Sequence, residues 1–332
     1  MTTVAFVGCA HSHTPGFINT INNRPDITCK SVWDHDTARA EKYAAELGAT
    51  VVTDLNAIYA DSEITAAIVC TETNRHEEVV LPGAVAGKHL FVEKPLGFGV
   101  KDAERMVAAI EKAGVIYQTG YFMRGEPNHL FLKEQIAQGA FGKITRVRGS
   151  NCHSAALGRW FSNGTLWMAD PKIAGVGAFG DLGTHSLDIL LWLLGDVAAV
   201  TAQIDKGIEA YPGCDETGEG LMRFANGTIG TLAAGWDDVA NPVSLLISGT
   251  EGHATIINGE LYFQSIHVDG ADGKQPWTDL PAKVPAGLDS FLNAITGRQD
   301  AVLVSVREAA CRSIVMAAMY EGATQEKWVK VG

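Results

Sequence analysis

Val4–Gly8 is a short apolar run built from β-branched, aromatic and small residues, and it reads as a buried strand. Pro15 then fits the first turn of a helix reaching about Asn22, with Thr14 as its cap. Ile27–Trp33 is a second strand. "DTARAEKYAAEL" (36–47) has a helical composition, and Gly48 is a natural stop. The alternation continues with "AAIVCT" (66–71) as strand, 75–86 as helix and "HLFVEK" (89–94) as strand. "VKDAERMVAAIEKAG" follows as a helix closed by Gly114, then "VIYQTGY" as strand. Strands alternating with helices predict a parallel sheet with helices on both faces.

The pattern changes near residue 121. A helix around 127–138 precedes the strand-like "KITRVRGSNCH", and "GDLGTHSLDILLWLLG" (180–195) is a strongly apolar helix. Consecutive strand-like runs follow ("VAAVTAQID", "GEGLMRF", "GTIGTLAAGW", "VSLLISGT", "HATIING"). Short turns such as Asn226-Gly227 separate them, which predicts an antiparallel sheet. Helices at about 286–297 and 305–322 close the chain. The expected fold class is α/β: a doubly wound parallel sheet over 1–121, then an α+β domain with a large open, mostly antiparallel sheet over 122–332. The closing helices are expected to pack across both domains. Successive apolar positions between 218 and 257 are compatible with a sheet covered on both faces, as in an oligomer.

A length of 332 residues fits two domains. The net charge of −12 argues against nucleic acid or an anionic membrane as the main partner. No apolar run approaches the ~20 residues that span a bilayer, and no signal peptide is visible at the N-terminus. The six cysteines are scattered without a C-x-x-C pair, as expected of reduced thiols in a cytoplasmic protein.

The loop "GCAHSH" (8–13) carries the first chemistry. It follows the first strand, opens a helix, and precedes Asp34 at the end of the second strand, 26 residues after Gly8. That is the layout of a dinucleotide site. Gly8 makes the turn, Ala10 still permits close backbone approach, and the N–H groups around His11, Ser12 and His13 face the pyrophosphate. Asp34 would accept the ribose hydroxyls and repel a 2′-phosphate. His13 stands where a small residue would let helix pack on strand, so its ring must point outward or toward the ligand. His11 and His13 also form a His-x-His pair, but a metal site needs at least one more ligand, and no metal is assigned. Asp181 and His185 are spaced i, i+4 and share one helical face.

At "GKHLFVEKPLG" the chain resembles the Gfo/Idh/MocA oxidoreductases, the family of glucose–fructose oxidoreductase and inositol dehydrogenase. Glu93-Lys94-Pro95 after "AGKH" is the most specific signature. "AGVGAFGDLGTHSLDILLWLLG" is similar to the family's glycine-rich G-G-G-x-x-x-D-x-G-x-H-x-x-D segment. "IVCTETNRH" matches its T-P-N-x-x-H stretch in Thr71 and His76, with Glu72 and Thr73 in place of proline and asparagine. "YFMRGEP" resembles R-F-x-P, and "SFLNAITG" fits a late helix.

The resemblance implies a Rossmann domain, a second open-sheet domain and an active site between them. It implies NAD as cofactor and a sugar, cyclitol or related polyol as substrate, oxidised at a secondary hydroxyl. His185 takes the role of general base. Lys94 hydrogen-bonds the same substrate oxygen, and Asp181 orients the lysine or binds a neighbouring hydroxyl. Pro95 has a family counterpart that often follows a cis peptide bond. Thr71, Thr73, His76 and Glu93 fall at the nicotinamide end of the cofactor site, while Arg124, His153, Trp160 and Trp167 are candidates to line the substrate pocket. A homodimer or homotetramer follows by the same resemblance. Two other functions share these residues: redox-assisted cleavage of a glycosidic bond, and a sensor that binds dinucleotide without turnover.

Overall fold

The computed structural model describes residues 1–162 and 164–331. Six strands form the first sheet: β1 (Thr2–Val7), β2 (Ile27–Trp33), β3 (Thr50–Val51), β4 (Ala66–Val69), β5 (His89–Val92) and β6 (Tyr117–Thr119). Their order is β3-β2-β1-β4-β5-β6 and every pairing is parallel, as the βα alternation requires. The sequence places the intervening helices well. Thr37–Leu47 is capped by Asp36, whose side chain accepts the Arg39 N–H, and it ends at Gly48 with φ 62°. Thr14 is the first residue of its helix rather than the cap expected. His13 occupies the cap position and makes no side-chain capping bond. The chain reverses its winding direction between β1 and β4. The crevice above their carboxyl ends is therefore the ligand position of such sheets.

The second sheet has nine strands: β7 (Ile144–Cys152), β8 (Val197–Asp205), β9 (Thr217–Phe224), β10 (Ile229–Gly235), β11 (Val243–Gly249), β12 (Gly252–Ile257), β13 (Glu260–Ser265), β14 (Asp272–Pro276) and β15 (Val329–Lys330). It is antiparallel except where β7 inserts between β10 and β11 and runs parallel to β10. One face carries the apolar helix Ala178–Leu194, which packs on β7, β9 and β10. The strands alternate buried and half-exposed residues, so a single chain covers one face only. Leu221, Ile229 and Val243 remain exposed. A second covered face, which the successive apolar positions allow, would have to come from another copy of the chain.

The closing helices join the two halves. Leu288, Phe291 and Leu292 of the helix Leu288–Ile295 enter the core of the parallel sheet. In the helix Val306–Gln325, Val306, Ala309 and Ala310 pack on that domain. Val315, Met316 and Met319, two turns on, pack under the large sheet. One amphipathic repeat thus serves two cores and fixes the domains side by side.

Candidate active site

Both domains contribute to one cleft. β5 ends at Val92 and delivers Glu93 and Lys94, and the Lys94–Pro95 peptide is cis. The Lys94 ammonium reaches across the domain boundary to Asp181, Nζ to Oδ1 at 2.7 Å. Asp181 lies in the first turn of Ala178–Leu194, and His185 follows one turn later on the same face, as the spacing predicts. Burial works to raise the Asp181 pKa, but the Lys94 charge and hydrogen bond prevail and hold it down at about 2. His185 is buried between Tyr121 and Phe122, with ring centroids 6.1 and 5.2 Å away, and its Nδ1 has no partner. Burial, reinforced by the Lys94 charge, pushes its pKa well below the ordinary histidine value, so the ring is a neutral base.

The loop after β1 is shaped by Gly8, whose φ is 78°. A side chain there would strike Thr71 at the end of β4, since its Cβ would lie 2.1 Å from Thr71 Cγ2. The Ala10 and His11 N–H groups turn inward to the Cys70 carbonyl. Among the described residues no acceptor meets the N–H of Ser12 or Gly16, which are left for an anion at the helix N-terminus. Thr71 Oγ1 and His76 Nε2 are buried beside the loop without partners, while His76 Nδ1 meets the Leu96 carbonyl. A cavity of about 150 Å³ bordered by Trp33, Asp34, Thr37 and Val52 lies where an adenosine would sit. These features fit a dinucleotide.

Two predicted contacts come out differently. The Asp34 carboxylate is fully engaged. Oδ1 accepts the Asp36 N–H at 2.8 Å and Arg39 Nη2 at 2.7 Å. Oδ2 accepts the Cys9 N–H and Arg39 Nε, both at 2.7 Å. All four acceptor positions of the carboxylate are taken, so it meets ribose hydroxyls only if Arg39 swings aside. Arg39 in turn bonds Glu72 at 3.0 Å, and Glu72 also meets His35. This Asp34–Arg39–Glu72–His35 cluster was missed from the sequence. Its signal was the carboxylate that replaces the proline of the T-P-N stretch.

Arg124 is the second correction. Its Nε and Nη2 grip Asp188 at 2.9 and 2.6 Å, its Nη1 takes Glu308 at 2.7 Å, and Arg312 binds Asp188 from the closing helix. The guanidinium is buried and wholly engaged by Asp188 and Glu308, not presented to a substrate.

Of the other substrate candidates, Trp167 lines the cleft with Lys94 and Asp181. Burial lowers the His153 pKa, and the Asp181 carboxylate opposes that shift. Trp160 stacks on His153 with centroids 4.9 Å apart and is largely exposed. Trp167 donates its indole N–H to the Ala10 carbonyl at 3.1 Å and so closes the loop after β1 from the second domain. Trp167, Thr73, His11, Lys94 and Asp181 line one narrow crevice. A cavity of about 470 Å³ adjoins it, bordered by Ser12, His13, Glu93, Gly120 and Phe122. A cavity of about 740 Å³ lies against the helix Val100–Ala113 and shares no lining residue with the cleft.

His13 resolves its crowded position by turning its ring inward, where Nδ1 meets Glu93 Oε1 at 2.9 Å. His11 Nδ1 accepts the His13 N–H at 3.2 Å, and burial pushes the His11 pKa down to about 3.

A Rossmann switch-point turn, facing a lysine–carboxylate–histidine set completed by a second domain, defines a two-domain oxidoreductase with a nucleotide-binding half. The chain belongs to the GFO/IDH/MocA family. The family's NAD-binding Rossmann oxidoreductase domain matches residues 2–121, and its C-terminal domain matches residues 129–255. The chain is similar to levoglucosan dehydrogenase of Pseudarthrobacter phenanthrenivorans, 30% identical over 226 residues that cover 60% of this chain and 57% of that one. That match therefore spans little more than half of the relative's length. It is also similar to scyllo-inositol 2-dehydrogenase (NAD(+)) of Bacillus subtilis, 28% identical over 264 residues, 77% of this chain and 73% of the other. The solved structure of levoglucosan dehydrogenase in complex with NADH and levoglucosan matches with a TM-score of 0.80 at 24% identity, over 99% of each chain, a likeness of fold.

Proposed function

We propose that the protein oxidises a secondary hydroxyl of a sugar, cyclitol or related polyol with NAD, and runs the reverse reduction. The observation that carries this is the Lys94–Asp181 contact of 2.7 Å with His185 one helical turn on, at the mouth of the nucleotide crevice. NAD, when bound, accepts or returns a hydride. The chain's own residues handle the oxygen and its proton. The neutral His185 takes the hydroxyl proton. The Lys94 ammonium, freed in part from Asp181 as substrate enters, stabilises the negative oxygen. Asp181 holds the lysine in place and accepts from a neighbouring hydroxyl. The loop after β1 and the helix N-terminus at Thr14 carry the pyrophosphate, and Glu93, Thr71, Thr73 and His76 hold the nicotinamide end. His153, Trp160 and Trp167 form the wall against which the substrate ring lies, apolar face to indole.

The relatives' names support the substrate class: levoglucosan, myo-inositol and scyllo-inositol dehydrogenases are among them. Incubation with NAD and a panel of inositols, anhydrosugars and pyranosides, read as NADH fluorescence, tests the proposal. NADH formed on a cyclic polyol is expected. Binding of NADH with no turnover on any polyol would overturn it. Cleavage of a glycoside with no net NADH would redirect it to redox-assisted bond breaking.

The exposed face of the large sheet, with Leu221, Ile229 and Val243, is the proposed homodimer or homotetramer surface. No helix among the described residues is long and apolar enough to cross a membrane, and all six cysteines are free. We place the protein in the cytoplasm on the latter ground.

A further inference from the structure

His11 and His13 stand two residues apart beyond β1, and Glu93 stands beyond β5. One ligating atom from each lies within 4.8 Å of the others. A Rossmann turn asks for no such group. Position 13 favours a small residue so that helix can approach strand, yet a ring is accommodated there by being turned onto a buried carboxylate. The surroundings support the carboxylate. A side chain at Gly120 would bring its Cβ to 2.7 Å from Glu93 Oε2, so the glycine keeps the space open. The Lys94 N–H holds Oε2 at 2.8 Å and leaves Oε1 facing the imidazoles. His11 is buried, and its ring centroid lies 4.5 Å from that of His13.

We propose that His11, His13 and Glu93 bind one divalent transition-metal ion at the edge of the cleft. Two imidazole nitrogens and one carboxylate oxygen suit Zn²⁺, Fe²⁺, Mn²⁺ or Co²⁺, and not Ca²⁺ or Mg²⁺, which favour oxygen sets. Ligands ~2.0–2.2 Å from a common ion lie roughly 3–3.5 Å apart, so ring movements of about 1 Å close the set and replace the His13–Glu93 hydrogen bond. The Lys94 N–H on Glu93 is the kind of outer contact that fixes a ligating carboxylate. Three protein ligands leave coordination positions toward the cavity of about 470 Å³ that His13 and Glu93 border, the open arrangement that accepts water or a small-molecule oxygen. The set shares Glu93 with the nicotinamide end of the proposed NAD site, and separate titrations with cobalt and with NADH keep the two readings distinct.

The test uses untagged full-length protein, stripped with a chelator and titrated with cobalt(II) chloride. Visible d–d absorption and bound cobalt per chain are read, and NADH binding is titrated separately on the same preparation. One cobalt per chain is expected. His13→Ala and Glu93→Gln should each weaken binding at least ~100-fold, more than loss of an outer-shell partner costs. His267→Ala, at an exposed histidine, should leave it unchanged. Thermal melts establish that each variant is folded, and His11→Ala supplies the same comparison if either is not. Substoichiometric cobalt, or equal affinity in the folded ligand variants, would overturn the proposal and leave the cluster a histidine–carboxylate hydrogen bond, whatever NADH does.

Discussion

The Lys94 ammonium and the Asp181 carboxylate meet at 2.7 Å although 87 residues separate them and they belong to different domains. The cleft is thus complete only where the two domains meet. Both side chains are largely shielded from water, where a short ion pair is strong and its geometry exacting.

Lys94→Arg is expected to lower kcat by roughly 10²–10³, the scale for losing a preorganised charge at a developing oxyanion. The guanidinium is planar and too large for a side-chain site only 3% exposed. Steady-state kinetics on a responsive polyol checks this. Retention of most activity would make Lys94 a distant electrostatic aid.

His185→Ala should lower kcat by ~10²–10⁴ with NADH binding preserved. Because His185 is held well below the ordinary histidine pKa, it is already deprotonated at neutral pH. The acidic limb of kcat/KM should therefore fall below pH ~6.5. The same depression bears on folding. The unfolded histidine binds a proton near pH ~6.5 while the folded one does not. Its contribution to stability is intact above that value and is lost as pH falls below it. His185→Gln should flatten the acid side of a urea-midpoint against pH curve.

NADH is expected to bind at least ~10-fold more tightly than NADPH, about 1.4 kcal/mol. Two carboxylates, Asp34 and Glu72, surround the single guanidinium of Arg39. Asp34→Ser should release Arg39 toward a 2′-phosphate, improving NADPH binding and weakening NADH. Fluorescence titration with both nucleotides reads this. A wild-type preference for NADPH would mean that Arg39 leaves its carboxylates for the phosphate.

Arg124→Ala should destabilise the fold by ~3–5 kcal/mol, the cost of stranding a buried carboxylate, here Asp188. Arg312 offsets part of that by its own bond to Asp188. KM should change little, because the guanidinium faces Asp188 and Glu308. Urea unfolding and steady-state kinetics separate the two effects. A large rise in KM with unchanged stability would return Arg124 to the substrate pocket.

Local pattern determined a great deal of this protein. The βα alternation, the stops at Gly48 and Gly114 and the helical spacing of Asp181 and His185 are short-range facts, set by backbone sterics and side-chain periodicity, and they are legible residue by residue. The motif around Glu93-Lys94-Pro95 carries the family resemblance in local sequence. Tertiary structure alone decided which polar groups are free. Asp34 looks like a ribose acceptor in the sequence, and only folding brings Arg39 and Glu72 together to occupy it. Arg124 looks like a pocket residue until the helix Ala178–Leu194 presents Asp188 to it from 64 residues away. His11 and His13 lacked a third partner until β5 set Glu93 beside them, 80 residues on from His13. Hydrogen-bond partners and burial depend on which segments meet in space, and periodicity carries no record of that distance.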